Sequence, residues 1–174
     1  MPSLMTIDAT ALIGFGRRLN KGQKQIAKDV EREFDAFGRL TVKTLQANAP
    51  RKTGTFASGF NHQVKGRGGA NMQLEVRWSP KGGQPKQLAD WIIFGTGIYG
   101  PRRKPIVPVR AKFLRFQASN GKIVFAKSVR GMKPRNFVRQ SWSQLAGARR
   151  AMTNRIGRLL ANSITGARGG GRAF

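Results

Sequence analysis

The chain reads as an α+β fold in which a long N-terminal helix and a C-terminal helix pack on an antiparallel or mixed sheet. Three observations predict it. Apolar residues recur at three- and four-residue steps over residues 19–48 and again from residue 137 onwards. Between those stretches Met72, Leu74, Val76 and Trp78 alternate with polar neighbours, which is the signature of a half-buried strand. Finally, Asn120-Gly121 sits between two apolar-rich runs, and that dipeptide favours a tight hairpin.

Taken in order, the first helix is expected from about Leu19 to Asn48, with Ile26, Val30, Phe34, Phe37, Thr41 and Leu45 on one face. Pro50 and Gly54 stop it, because proline lacks a donor and disfavours helix in the residue before it. Phe60 to Lys65 is expected to pair with the Met72–Ser79 strand through the glycine-rich link at Gly66 to Gly69. A short helix at Leu88 to Ile92 closes at Gly95. A long loop then carries Arg102, Arg103 and Lys104 among glycines and prolines. The Asn-Gly hairpin joins Lys112–Gln117 to Lys122–Val129, and a second helix starts after a plausible cap at Asn136. Its apolar side runs through Phe137, Trp142, Leu145, Met152, Ile156, Leu159, Leu160 and Ile164. The organisation is thus an N-terminal segment (1–18), a single α+β domain (19–165) and a flexible basic tail (166–174).

Charge bounds the function more tightly than length does. The 174 residues hold 33 Lys and Arg against 7 Asp and Glu, a formal net charge of +26. Residues 1–40 carry 7 basic and 5 acidic side chains, whereas residues 91–174 carry 18 and none. A solvated surface normally mixes both signs, so an acid-free half implies an anionic partner. Candidate contacts are Arg102, Arg103 and Lys104 in the loop, Arg149 and Arg150 on the last helix, and Arg168 and Arg172 in the tail. Arg149, Arg150, Arg155 and Arg158 form either a basic binding side or simply a solvated one.

Catalysis finds few candidates. The chain has no cysteine, which excludes disulfides and thiolate chemistry. Its one histidine, His62, falls in an expected strand with no carboxylate close in sequence, so its reading is structural or solvent-facing. The carboxylates cluster on the first helix, where pairing with neighbouring cations explains them, and Glu75 falls on the polar face of a strand. No paired carboxylates, metal-ligand cluster or nucleophilic triad stand out. The expectation is therefore no enzyme, catalytic residue, metal or cofactor. Nothing approaches a membrane span or begins with a basic leader, so no membrane role is expected.

Three short segments carry a resemblance. Ala49-Pro50-Arg51-Lys52-Thr53-Gly54, then Phe94-Gly95-Thr96, then Pro134-Arg135-Asn136-Phe137 occur in the order seen in the HK97 gp10-like tail-completion or neck proteins of tailed bacteriophages. Those proteins show A-P-x-x-T-G, a later E-F-G-T and a closing P-x-x-F. The chain resembles that family over roughly residues 20–150. Ile93 stands where relatives have glutamate, and the basic stretch beyond about residue 150 is outside the pattern. The resemblance implies a ring-forming virion subunit at the head-to-tail joint, with Pro50, Thr53, Gly54, Phe94, Gly95, Thr96, Pro134 and Phe137 as structural positions. Its expected partners are copies of itself (a hexamer, with a dodecamer as the alternative), adjacent connector and tail proteins, and double-stranded DNA contacted without sequence preference. The host cytoplasm would be its location during assembly. Competing readings are a freestanding nucleic-acid-binding protein, and a tail terminator or minor tail protein.

Overall fold

A computed structural model describes residues 5–8, 23–51, 54–68, 71–118 and 120–166. They form an α+β arrangement with antiparallel sheets, divided into two compact units: residues 1–82 with 139–174, and residues 83–138.

The first unit is built on helix α1 (Gln23–Asn48). Its apolar stripe is the expected one. Val30, Phe34, Phe37, Thr41 and Leu45 are buried, and they recur at the spacing that puts them on one side of a helix. This stripe lies on a three-stranded antiparallel sheet of β1 (Met5–Asp8), β2 (Phe60–Lys65) and β3 (Gln73–Trp78), in the order β1-β3-β2. The β2–β3 register pairs Phe60 with Trp78, His62 with Val76 and Val64 with Leu74, so these six residues share one face. The core joins Val30, Phe34 and Phe37 of α1 to Val64 and Leu74 of the sheet and to Met72 just before β3. Leu145, Met152 and Ile156 close it from the C-terminal side.

Strand β1 was not foreseen from the sequence. Four residues are too few to establish a period, yet Met5 pairs with Val76 and Ile7 with Leu74, which makes β3 the central strand. Glu75 does fall on the polar face, as expected, but it is only 8% exposed. Lys65 Nζ and Arg77 Nη2 approach its Oε2 at 2.8 and 2.6 Å and cover it. Their hydrogen bonds hold its carboxyl below the usual range.

The C-terminal helix divides into α3 (Phe137–Gln144) and α4 (Ala146–Gly166). The amide of Leu145 donates to Ser141 O and that of Arg149 to Leu145 O. These bonds carry the helical ladder across Leu145, so the division is a one-residue irregularity rather than a loop. The end of α1 is tied to α3 by Asn48 Nδ2, which donates to Ser141 Oγ at 2.9 Å and to Gln144 Oε1 at 2.8 Å.

The second unit contains helix α2 (Leu88–Phe94), a short 3-10 turn (Gly97–Tyr99) and a separate hairpin of β4 (Leu114–Gln117) and β5 (Ile123–Ala126). The hairpin turns where Asn120-Gly121 predicted it, with Gly121 at φ 81° and Asn120 Oδ1 accepting the amide of Lys122.

Two substitutions on α1 test the core in opposite directions. Phe34, 1% exposed, should cost about 3–5 kcal/mol on replacement by alanine. Thr41 is fully buried, and its hydroxyl finds no hydrogen-bond partner among the described residues. Thr41→Val should therefore stabilise the fold by about 1 kcal/mol, because it removes an unsatisfied polar group. Urea denaturation of both variants gives the two signs.

Candidate interaction surface

Within the first unit, the acids of α1 are committed to internal pairs. Asp29 meets Arg32 one turn on, at 3.2 Å. The others reach further: Glu31 to Arg67 at 3.4 Å, Glu33 to Arg155 at 2.8 Å, and Asp35 Oδ1 to His62 Nε2 at 2.9 Å, with Arg39 on the other oxygen of Asp35. Sequence reasoning placed these acids in helix-surface pairs, and for Asp29 with Arg32 and Asp35 with Arg39 that is what the structure has. It missed the bonds from α1 to β2 and α4, because nothing local signals a partner 122 residues away. His62 is accordingly structural. Its imidazole lies against Gly38, where an added Cβ would come within 2.4 Å of Cδ2. The glycine, costly in mid-helix by about 1 kcal/mol, is what admits the ring.

The first resemblance segment terminates α1. Ala49 is buried, Pro50 follows it, and Gly54 takes φ 74° and accepts the amide of Ser58. Thr53 lies outside the described residues. The turn after Gly54 delivers Phe56 to an aromatic group, edge-on to Phe60 and 5.3 Å from Trp78. Trp78 Nε1 donates to Phe56 O at 2.9 Å, which satisfies the buried indole.

The second and third segments meet in the other unit. The amide of Thr96 donates to Met132 O, and the amide of Met132 donates to Thr96 Oγ1, both at 2.9 Å. Ile98 N donates to Arg130 O, and Arg135 N to Ile92 O, which satisfies a carbonyl in the last turn of α2. Three glycines make this clasp close. A Cβ at Gly95 would meet Met132 O and Pro134, one at Gly97 would meet Arg130 O at 2.1 Å, and one at Gly131 would meet Thr96 O at 2.2 Å. All three have positive φ. Phe137 is buried while Phe94 is 58% exposed, so the motif's aromatic residues have different roles.

The clasp anchors one end of the basic loop. The other end is held by reciprocal amide–carbonyl bonds between Ile106 and Val129. Arg102, Arg103 and Lys104 are therefore three consecutive exposed cations on a turn bracketed by Pro101 and Pro105. Arg103 adopts φ 49°, the one positive φ of a non-glycine residue among the described residues. That conformation costs about 1 kcal/mol or more. Anchoring lowers the entropy lost when such a loop meets a partner.

On the last helices the predicted cations separate. Arg149 is stacked on the Trp142 ring with its guanidinium carbon 4.6 Å from the centroid, and Arg155 is paired with Glu33, whereas Arg150 and Arg158 are exposed. Arg168 and Arg172 lie outside the described residues. Among the described residues no group of three or more His, Asp or Glu side chains could hold a metal, and no helix is long and apolar enough to cross a membrane.

Two predictions follow from these pairs and from the clasp. The hydrogen bond with His62 holds the Asp35 carboxyl below its ordinary value; burial, second in size, opposes it, and the charge of Arg39 adds a smaller lowering effect. A depressed carboxylate contributes stability above its unfolded pKa, and this is lost as pH falls through the folded one. The urea midpoint should thus fall as the pH is lowered from about 5 to about 3, and less steeply in Asp35→Asn; Glu75 accounts for part of the remaining slope. In the clasp, Gly97→Ala should make residues 95–132 cleavable by protease under conditions in which the parent chain resists.

Comparison with known proteins gives a match to a family. Residues 14–95 match the family described as "Bacteriophage HK97-gp10, putative tail-component", just under half of the chain. The matched stretch contains Pro50, Gly54, Phe94 and Gly95, and it stops short of Pro134 and Phe137. No curated protein and no solved structure is significantly similar to the chain.

Proposed function

Starting from that match to a bacteriophage tail component, we propose that the chain is a structural, non-catalytic subunit of a phage virion. In this reading it forms a ring at the head-to-tail joint, around the path of the DNA. The match over residues 14–95 carries the proposal. The clasp supports it, because a segment outside the matched stretch, Met132 to Pro134, is held against Gly95 and Thr96 inside or beside it. The order of motifs in the sequence thus corresponds to a physical contact.

The ring is proposed to be a hexamer, with a dodecamer as the alternative, and to contact adjacent connector and tail proteins. Rings also suit the charge. A monomer with a net charge of +26 repels its copies, so assembly must draw on mass action and on an anionic component. DNA passing through the ring would supply that component, with Arg102, Arg103 and Lys104 touching phosphates without reading bases.

Purified particles should contain the chain, and negative-stain images should show it in closed rings. Absence from particles would sink the proposal. The anchored cationic turn favours a second reading, a freestanding nucleic-acid-binding protein, and salt separates its contribution. Replacing all three cations with glutamine should lower the salt slope of duplex DNA binding by about 2–3, at about 0.9 per phosphate contact. Stoichiometric binding without rings would favour the second reading.

A further inference from the structure

We infer that the β4–β5 hairpin is a docking surface for a different polypeptide, one that presents an apolar patch rimmed by carboxylates. The hairpin register pairs Leu114 with Ala126 and Phe116 with Val124 on one face, and Arg115 with Phe125 and Gln117 with Ile123 on the other. Both faces therefore carry apolar side chains, and a two-stranded ribbon cannot bury either by itself. Phe125 is 64% exposed and Ile123 53%, with Phe116 and Val124 also open on the opposite face. The preceding loop adds Val109, 94% exposed. By contrast, Leu40 is the only exposed large hydrophobic in the first unit among the described residues. Apolar exposure concentrated in this way marks an interaction site.

Charge selects the occupant. Lys112, Arg115, Lys122 and Lys127 flank the apolar residues, and the whole of residues 83–138 contains a single acid, Asp90. DNA would answer the cations but not the aromatic and β-branched side chains, which gain nothing against phosphate. A second copy of the chain would answer the apolar residues but not the cations. Five of its seven carboxylates are already paired internally, at Asp29, Glu31, Glu33, Asp35 and Glu75. What remains is a foreign surface with an apolar centre, which aromatic residues anchor well, and an acidic rim, which steers the encounter. This inference goes beyond the ring and does not rest on it.

The test places the photo-crosslinking amino acid p-benzoylphenylalanine at position 125, with position 40 as control, in the full chain in the cells that naturally make it. Irradiation should join position 125, but not position 40, to one segment of another polypeptide rich in Asp or Glu beside apolar residues. The double substitution Arg115→Glu and Lys127→Glu should cut that yield by about tenfold, with an unchanged circular dichroism spectrum. A separate Phe125→Glu chain should fold normally and fail to co-purify with the crosslinked polypeptide. Crosslinks to another copy of the chain, crosslinks to DNA, or none at all would overturn the inference. The outcomes are separable from those of the ring. Monomeric protein that still gives the foreign crosslink sinks the ring alone, and rings without a foreign crosslink sink the docking surface alone.

Discussion

The first unit depends on one two-sided property of α1: an apolar stripe that fastens it to the sheet, flanked by acids that fasten it to β2 and α4. Val30, Phe34 and Phe37 bury the stripe against Val64, Met72 and Leu74. Exposed or half-buried ion pairs contribute little individually, so the stripe supplies the driving force. The acids supply register. Glu33 on Arg155 and Asp35 on His62 fix how α1 lies along its neighbours. They also neutralise cations that would otherwise repel across the same contacts.

That commitment explains the asymmetry of the molecule. With only seven carboxylates against 33 cations, those used to hold the first unit are not available to balance the second. The second unit is held instead by backbone contacts that only glycine permits, at Gly95, Gly97 and Gly131, and by Lys133 over the Tyr99 ring. Its cations and a large part of its apolar surface consequently face outward. The first unit covers its apolar surface, and the second leaves much of its own open.

How much of this could be read in the sequence follows from the range of each signal. Helix α1, the β2–β3 pair, α2 and the Asn-Gly hairpin rest on periodicity or turn chemistry within a few residues, and the structure has them where they were expected. Strand β1 rests on pairing across some 70 residues and left no local trace. The same holds for the clasp. Gly97 reads as a loop glycine in sequence, although it is required because the backbone of Arg130 and Gly131 lies against it. At the candidate surface, the cations of the basic loop were legible as composition. Their anchoring was not, because it depends on Ile106 meeting Val129. The outward-facing hairpin was legible as a hairpin, while its lack of cover was not, since alternation alone does not say whether anything lies on either face.

The contact between Gly38 and His62 carries a consequence for inheritance. The imidazole fits only because position 38 has no Cβ, and it is held there by Asp35 one helical turn earlier. These three positions form one unit of variation. A descendant that acquires a side chain at 38 must reduce or redirect the residue at 62 and shift Leu74, and once the ring is gone the acid at 35 is left with the cations Arg39 and Arg67. Substitutions at the three should therefore travel together through the lineage, whereas Leu40, exposed on the same helix, is free to drift alone.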